Sequence, residues 1–346
     1  MPRFTALLVW MLLTLPVLYG CGEDEAVVRV DMSKREEVRV PEPTPSITYA
    51  YLPQYSHTVS YRRHNPLVEY LARETGLSMR QVFPDTFEEH RRLVERGDID
   101  ISFTNPFTYV SMAKSGARAF ARIVDASGSA DFRGQIIVRA DNPDIRTLDD
   151  CRGKRWIAVD PLSAGGYLFA LGHFLDHGIR QEDFAEIAFA PGPGGKQEKA
   201  VLAVYAGKYD IASIREGTLE IVKDKVDLEK LRILATTRGY PEWLFSARRG
   251  LPEETINAIA RALFKLSPEN PVHVPILAAA GISRILPASD TDYDSVRELI
   301  EKTRFSLPAD EQVSTSDAVP DDLSRGTFAD PAIPKPDISG AEPEAL

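Results

Sequence analysis

The sequence predicts an α/β fold, and two observations indicate it. Runs of β-prone residues alternate with segments whose apolar residues recur at helical spacing. This alternation occurs twice, first from residue 47 to the helix that starts at Pro106 and again in residues 134–235. Alternating strands and helices are typical of a mostly parallel sheet with helices on both faces. The repetition, followed by a return of the chain at the end, predicts two lobes joined by crossing strands.

The first unit opens with the strand Ile47–Tyr51, a short β-prone run. Further strands are predicted at residues 79–83 and 98–103, and helices at residues 65–76, 87–97 and from Pro106 onward. Thr104 or Asn105 caps the last of these helices, because a short polar side chain before a first-turn proline is a strong helix start.

The second unit repeats the pattern. Its strands are predicted at residues 134–139, 155–159, 187–190, 209–214 and 231–235, and its helices at residues 166–177 and 196–206. Ligands of such sheets bind at the carboxyl ends of strands, where helices start. We therefore expect the functional residues in the turns that follow these strands.

Composition limits the class of protein. The 346 residues are enough for two ordinary domains, and 43% hydrophobic with 27% charged residues is typical of a soluble globular chain. The formal net charge of -10 comes without a long basic run, which argues against nucleic acid as a partner. Cys21 and Cys151 form no CxxC motif, so a zinc ribbon or thioredoxin-type site is not expected.

The N-terminus has the features of an export signal. Arg3 precedes an apolar run over residues 4–18, which is short for a bilayer span but matches a signal-peptide core. The run ends in Leu-Tyr-Gly-Cys21, which resembles the bacterial lipoprotein box that is cut before a lipidated cysteine. We expect a lipoprotein signal peptide in residues 1–20 and a lipid anchor on Cys21, with an ordinary cleaved signal as the alternative.

Two polar segments flank the predicted folded part. Residues 21–46 are acidic and contain the run PEPTPS, a composition typical of a tether. Residues 304–346 are rich in Pro, Asp, Ser and Gly, and are predicted to be a disordered acidic tail.

Several segments, in order, resemble the phosphonate-binding family of periplasmic receptors, the phosphate, phosphite and phosphonate binders of ABC transporters. The segments that carry the resemblance are NPLVEYLARETGL, GDIDISFTNPFTYV, GKRWIAVDPLSAGGYLF, KQEKAVLAVYAGKYDIASI, GLPEETINAIARALFKL and SDTDYDSVRELI. Together they run through most of residues 47–303.

The resemblance implies a type II periplasmic-binding-protein fold with two lobes and a two-strand hinge. It implies that residues 47–137 and 238–303 form lobe 1 and that residues 138–237 form lobe 2. The hinge is then expected near residues 136–138 and 235–238. It also implies a monomer that works outside the cytoplasm.

The turn Ser163-Ala164-Gly165-Gly166 lies where a predicted strand ends and a helix begins. The first N–H groups of a helix lack internal partners and attract an anion. An ordinary N-cap is the alternative, but the resemblance places the family's ligand-binding turn here, with Tyr167 following. A bulky residue at Gly166 is then expected to remove binding and leave the fold intact.

This turn departs from the family pattern. The family has Ser-Thr-Ser-Gly at the turn, so two hydroxyl donors are missing here, and its histidine at the start of the next helix is replaced by Gln197. The loop of residues 192–196 is the expected replacement, with backbone N–H groups and the charge of Lys196. A flexible turn is the alternative, and the loop lacks the spacing of a Walker P-loop.

Lobe 1 contributes four further candidates. Tyr51, Asn105, Thr108 and Tyr109 are expected to face the ligand, with the tyrosines matching aromatic positions of the family. The same tyrosines can instead cap the core. Glu216 can hold a ligand amine or a protonated oxyanion, or form a surface ion pair. The basic cluster at residues 62–64 is expected to be a solvated patch at a helix start.

No motif indicates an enzyme, a cofactor or a metal site. The chain has no HExxH, no GxSxG and no paired nucleophile and histidine. We therefore expect a non-enzymatic receptor that captures a small, oxyanion-bearing ligand and presents it to the membrane permease of an ABC transporter. A sensing subunit that partners a membrane histidine kinase, a binder of another small organic solute, and an enzyme that reuses the two-lobe fold are the alternatives.

Overall fold

The computed structural model describes residues 46–304. The predicted signal peptide, the lipid anchor at Cys21, the tether up to residue 45 and the tail from residue 305 lie outside these residues. Within residues 46–304, no helix is both long enough and apolar enough to cross a membrane.

The chain first builds most of a six-stranded sheet with three helices. The elements of this part are β1 (Ile47–Tyr51), α1 (His57–Thr75), β2 (Met79–Val82), α2 (Phe87–Arg96), β3 (Ile101–Thr104), α3 (Pro106–Ala113) and β4 (Arg118–Asp125). Asn105 caps α3 as expected, because its Oδ1 accepts a hydrogen bond from the Thr108 amide at 2.9 Å. Strand β4 was not predicted.

The chain then forms a five-stranded sheet, which is preceded by a short strand, β5 (Asp131–Phe132), that is not part of it. The elements that follow are β6 (Gly134–Arg139), β7 (Arg155–Ala158), α4 (Phe169–Asp176), β8 (Glu186–Phe189), α5 (Lys196–Tyr205), β9 (Ile211–Arg215), α6 (Thr218–Val222) and β10 (Leu231–Thr236). A π-helical turn, Ala164–Leu168, precedes α4.

The chain then returns to the first sheet. The returning elements are β11 (Tyr240–Pro241), β12 (Leu244–Ala247), α7 (Glu253–Lys265), α8 (Val274–Ala280), β13 (Ile282–Pro287) and α9 (Asp294–Thr303). The first sheet has the order β13-β4-β12-β3-β1-β2 and the second has the order β10-β6-β9-β7-β8. We call each sheet with its helices a lobe: the first lobe contains the six-stranded sheet and the second lobe contains the five-stranded sheet.

The expectation of mostly parallel sheets is wrong for both lobes. Strands β1, β2 and β3 are parallel, as are β7, β8 and β9, but β12 runs antiparallel to β3 and β4, and β10 runs antiparallel to β6. The reason is the path of the chain. Strand β4 leads out of the first lobe and β12 leads back into it, while β6 leads into the second lobe and β10 leads out of it. The two strands of each pair therefore run in opposite directions.

The expected lobe boundary between residues 137 and 138 falls inside a strand. All of Gly134–Arg139 pairs with β9 and β10 in the second sheet, and Ile136 lies opposite Ala235. Of the expected hinge segments, residues 136–138 lie within β6 and residues 235 and 236 within β10, while Thr237 and Arg238 follow β10 on the way back to the first lobe. The chain passes between the lobes twice, first between β4 and β6 and again between β10 and β12, and we call these two segments the chain crossings. They meet in a small antiparallel sheet, where Phe132 pairs with Tyr240 and Asp131 with Pro241.

Helix α1 begins eight residues before its predicted start. Its N-cap is Ser56, whose hydroxyl accepts from the Val59 amide, and the helix continues through Pro66. A proline inside a helix removes one backbone hydrogen bond and usually marks a boundary. Tertiary packing overrides that signal here, because Val59, His64 and Leu67 on one face of the helix are buried in the first lobe.

Candidate ligand-binding site

A cavity of about 350 Å³ lies between the two lobes. Its size is within the range of small-molecule sites. The first lobe contributes Tyr51, Arg63 and Phe103, the second lobe contributes Arg215, Glu216 and Gly217, and the chain crossings close the side that joins the lobes. The residues lining that side are Ser127, Ser129, Asp131, Phe132, Arg133, Glu242 and Trp243.

Aromatic rings form the wall of the cavity in the first lobe. The ring of Tyr51 stacks on His64 with 4.3 Å between centroids and lies 5.8 Å from Trp243. His64 is fully buried, and its Nδ1 lies 2.7 Å from the Tyr49 hydroxyl. Burial and the nearby Arg63 lower the pKa of His64 to about 3, so the imidazole is neutral. Burial raises the pKa of Tyr51 well above its ordinary value, so its hydroxyl keeps its proton.

Arg63 reaches the cavity from helix α1. Its Nη2 donates to the Ala280 carbonyl at 3.1 Å, and its buried Nε has no hydrogen-bond partner among the described residues. A Cβ at Gly281 would lie 2.6 Å from Nη2. Gly281 also has a φ of 73°, a left-handed conformation that favours glycine, and any side chain there would have to displace the guanidinium.

Arg215 reaches the cavity from the end of β9 in the second lobe. Its Nη2 donates to the Tyr55 hydroxyl at 2.7 Å, and its guanidinium carbon lies 6.0 Å from the centre of that ring. Its Nε is buried without a hydrogen-bond partner in the part of the chain that the structure describes. Arg63 and Arg215 thus bring two positive charges to the cavity, and neither forms an ion pair with a carboxylate of residues 46–304.

Four other charged residues of the lining already have ion-pair or hydrogen-bond partners within the protein. Arg133 pairs with Asp131 at 3.2 Å and with Glu216 at 3.8 Å, and all three side chains are partly exposed at the rim. Asp125 accepts hydrogen bonds from the Ser127 amide and hydroxyl and so holds the turn that follows β4. Arg133 thus pairs with two carboxylates of the rim and Asp125 holds a turn, whereas the two inner guanidiniums have no carboxylate partner of their own within residues 46–304.

Glu242 is the one carboxylate of the lining that is buried, with 6% of its surface exposed. Its Oε2 accepts from the Trp243 amide at 2.7 Å. Burial raises the pKa of the Glu242 carboxyl to about 7, with the Trp243 amide and the Arg215 guanidinium opposing the shift and Asp125 and Asp131 adding to it. Near neutral pH this carboxyl therefore exchanges a proton.

The cavity has the chemistry of an anion site. Two guanidiniums, a protonated tyrosine hydroxyl and a half-ionised carboxyl surround a space that can hold a small molecule. Arginine suits phosphate-like oxyanions because its planar fork donates two parallel hydrogen bonds.

Comparison with known proteins decides the family. The model of the family described as periplasmic substrate-binding proteins of phosphonate ABC transporters matches residues 49–293. The chain belongs to this family. Its members are substrate-binding components of transporters and not enzymes, and they function outside the cytoplasm.

Two individual relatives are similar to this chain. The phosphate-import protein PhnD of Mycolicibacterium smegmatis is 24% identical over 75% of this chain and 86% of its own length. The tetrathionate sensor histidine kinase TtrS of Salmonella typhimurium is 26% identical, and the match covers 59% of this chain and 37% of that kinase.

Solved structures share the fold. The binding component of an ABC phosphonate transporter from Pseudomonas aeruginosa superposes with a TM-score of 0.65 at 19% identity, covering 75% of this chain and 87% of that one. PhnD1 of Prochlorococcus marinus, in complex with methylphosphonate, gives a TM-score of 0.65 at 16% identity, covering 75% of this chain and 98% of that one. The mixed α/β architecture is therefore the two-lobe fold of periplasmic binding proteins, as the sequence predicted.

Two of the predicted site residues, Tyr51 and Glu216, line the cavity. Asn105 and Thr108 instead join the lobes, because their side chains donate to the Leu162 carbonyl at 3.3 and 3.2 Å. The two lobes are therefore in direct contact here, because the first turn of α3 and its cap bind the backbone just before the Ser163 turn.

The turn predicted from the family pattern lies outside the cavity lining. Ser163 is the N-cap, and its Oγ accepts from the Gly166 amide at 3.1 Å. Ser163, Ala164, Gly165 and Gly166 are all buried. A Cβ at Gly165 would lie 2.9 Å from the Phe132 ring, and one at Gly166 would lie 2.4 Å from Val159 Cγ2. Protein atoms, and no open space, therefore occupy the surroundings of these glycines.

The loop expected to replace the missing donors connects the lobes. The Gly195 amide donates to the Gln54 carbonyl at 2.9 Å, and Lys196 forms a 2.6 Å ion pair with the buried Asp160. Gln197 does not line the cavity but contacts Arg215, which does: its Oε1 accepts a hydrogen bond from the Arg215 amide at 2.9 Å. The buried Nε2 of Gln197 has no hydrogen-bond partner within residues 46–304.

The remaining predicted residues, Tyr109 and Tyr167, lie in cores. Tyr109 is fully buried, and its hydroxyl donates to Asp290 at 2.5 Å and accepts from the Ala119 amide. Tyr167 packs in the second lobe, where its hydroxyl donates to Gln181 at 3.3 Å.

Sequence reasoning missed the arginines and the buried glutamate of the cavity. The interpretation of residues 62–64 as a solvated patch is wrong for two of the three, because His64 is fully buried and Arg63 lines the cavity. A helix that begins at His57 places His64 on the face that also carries Leu67 and Leu71. That helical spacing was the available signal, and Pro66 concealed it.

Proposed function

We propose that the protein captures a small oxyanion-bearing solute of the phosphonate or phosphate class in the cavity between its lobes and delivers it to the permease of an ABC transporter. The observation that carries this proposal is the pair of inner guanidiniums, Arg63 and Arg215, which reach one cavity from opposite lobes. A ligand bound to both stabilises the closed form, because only the closed form brings the two together.

The relatives support the same ligand class. The Mycolicibacterium relative imports phosphate, and the Prochlorococcus structure holds methylphosphonate. The missing hydroxyls of the Ser163 turn are then replaced by guanidinium donors, which form stronger, charge-assisted hydrogen bonds with an oxyanion.

Calorimetric titration with phosphate, phosphite, methylphosphonate and 2-aminoethylphosphonate tests the ligand class. We expect at least one of these to bind, and Arg63→Gln to weaken that binding about tenfold to a hundredfold through the loss of charged hydrogen bonds. Arg62→Gln, an exposed neighbour on the same helix, is the matched control and should bind like the wild type. If none of the four binds, the ligand class is wrong.

A sensing role is the second candidate, since part of the chain matches the sensor kinase TtrS. The import relative is matched over more of the chain, which favours transport. Co-purification from detergent-solubilised membranes separates the two, because a permease with its ATPase or a histidine kinase would be recovered with the closed receptor.

Membrane anchoring through Cys21 rests on the sequence. Two or three acyl chains, at about 0.8 kcal/mol per buried methylene, hold a protein durably on a bilayer. We expect Cys21→Ser to abolish palmitate labelling and to release the mature protein from membranes. Retention of this variant in the membrane fraction, with its signal peptide removed, argues against the anchor.

A further inference from the structure

We propose that Glu242 contacts the bound oxyanion through a shared proton, so that ligand binding takes up a proton at this carboxyl. The proposal rests on the proposed function, because it assumes an oxyanion in the cavity. It assigns to Glu242 a role in binding that the sequence did not suggest.

The geometry leaves one atom of Glu242 for a ligand. Its Oε2 is held by the Trp243 amide, whereas Oε1 has no hydrogen-bond partner among the described residues. Since Glu242 lines the cavity that Arg63 and Arg215 also line, an oxyanion held by the two guanidiniums shares this space with Oε1. Two oxygens of like charge repel in a buried space, and a proton between them converts the repulsion into a hydrogen bond.

The groups around Glu242 determine that this carboxyl, and not a neighbouring side chain, gains or loses a proton near neutral pH. Asp125 and Asp131, from the first chain crossing, add negative charge and favour its protonated form, and Arg215 opposes them. Tyr293, from the turn before α9, is buried, and burial raises its pKa far above the ordinary value, so it stays protonated. Tyr51 also keeps its proton. Glu242, with a pKa of about 7, therefore titrates where an arriving anion can change its state.

The consequence follows from linkage. An anion in the cavity stabilises the protonated carboxyl and raises the pKa of Glu242 further, so proton and ligand promote each other's binding. Below pH 7 the carboxyl already carries the proton, and binding exchanges none at this site. Above pH 7 the proton must come from solvent, so the affinity falls as pH rises.

Calorimetric titration of the full-length protein with methylphosphonate, in buffers of different ionisation enthalpy, measures the proton count. At pH 8 we expect the wild type to take up about one proton on binding, and Glu242→Gln to take up close to none. From pH 8 to pH 9 the wild-type affinity should fall about tenfold and that of the variant should stay nearly constant. Gln keeps an oxygen that can accept from the Trp243 amide. Glu254→Gln, on the exposed first turn of α7, should behave like the wild type.

The outcomes separate the two proposals. Binding to the wild type without proton uptake at pH 8 overturns the role of Glu242 and leaves the proposed function standing, whatever the variant does. Equal uptake by the wild type and Glu242→Gln also overturns it, because the proton then belongs to another group. Absence of methylphosphonate binding to the wild type overturns both proposals if phosphate, phosphite and 2-aminoethylphosphonate also fail to bind. If one of those binds, the same proton count is made with it.

Discussion

Arg215 of the second lobe donates a hydrogen bond of 2.7 Å to the hydroxyl of Tyr55 in the first lobe. The same guanidinium lines the cavity, so one side chain both joins the lobes and faces the ligand space. Gly194 packs on the backbone of Tyr55 from the same side, where a Cβ would lie 3.1 Å from the Tyr55 carbonyl oxygen. The contact that joins the lobes and the lining of the cavity therefore share the Arg215 side chain.

Removing the hydroxyl of Tyr55 should loosen the closed form. In Tyr55→Phe, Arg215 loses its partner in the first lobe, and we expect an increased radius of gyration without ligand and compaction when methylphosphonate is added. The affinity should fall by about tenfold, the effect of one charge-assisted hydrogen bond. Small-angle scattering and calorimetry measure the two effects, with the exposed Tyr61→Phe as control. Unchanged scattering would show that Arg215 does not hold the lobes together.

Lys196 should contribute to stability and not to affinity. Its ammonium neutralises Asp160, whose side chain is 8% exposed, and neither residue lines the cavity. Lys196→Met leaves a buried carboxylate without its cation, so we expect a loss of about 3 kcal/mol or more in urea unfolding. The double variant with Asp160→Asn should recover part of this loss, and methylphosphonate affinity should stay unchanged in both. A selective loss of affinity would instead place Lys196 at the ligand, as expected from the sequence of the loop of residues 192–196.

Much of the fold could be predicted from local patterns. Strands such as Ile47–Tyr51 and Gly134–Arg139 are uninterrupted β-prone runs, and the helix after Asn105 has both a cap and a first-turn proline. Strand β4, Arg118–Asp125, was missed because polar residues interrupt its pattern, and its pairing with β12 and β13 is far along the chain. Part of the expected hinge falls inside β6 and β10 for a similar reason: no local signal distinguishes a strand inside a lobe from one that leaves it.

The site was harder to predict than the fold. We expected the ligand-binding residues in turns at the ends of strands, and Arg215 does lie at the end of β9. Arg63, however, lies in the middle of a helix, and Glu242 lies on the return crossing, 179 positions later in the sequence (242 − 63). Only tertiary packing brings such residues to one cavity. The family pattern also favoured hydroxyl donors, so it drew attention to the Ser163 turn and away from arginines.

Gly166 should tolerate no side chain, for a reason different from the one the sequence suggested. A Cβ there would lie 2.4 Å from Val159 Cγ2 and 2.8 Å from Ser163 Oγ, so even alanine overpacks the interior of the second lobe. We expect Gly166→Ala to lower the free energy of unfolding by about 1 to 3 kcal/mol. Urea unfolding measures this, and titration of the folded fraction measures binding. A variant with wild-type stability and no binding would contradict the packing argument and place the ligand at this turn.

Glu242 should make stability depend on pH even without ligand. Its pKa is raised in the folded protein from an ordinary value of 4.5 to about 7. Below pH 4.5 the carboxyl is protonated in both folded and unfolded states and has no differential effect. Between pH 4.5 and pH 7 the unfolded state loses this proton first, so the folded state loses stability relative to it as pH rises.

Replacing this carboxyl should therefore stabilise the protein at alkaline pH. The shift corresponds to about 3 kcal/mol between the two pKa values, and Glu242→Gln removes it. We expect the unfolding free energies of the variant and the wild type to lie closest together near pH 4.5, and the variant to gain about 3 kcal/mol on the wild type by pH 8. Urea unfolding of ligand-free protein at pH 4.5, 6, 7 and 8 measures this gain. Glu254→Gln should follow the wild type at each pH. A gain that does not change with pH would show that Glu242 is ionised throughout and that its burial is compensated by the guanidiniums of the cavity.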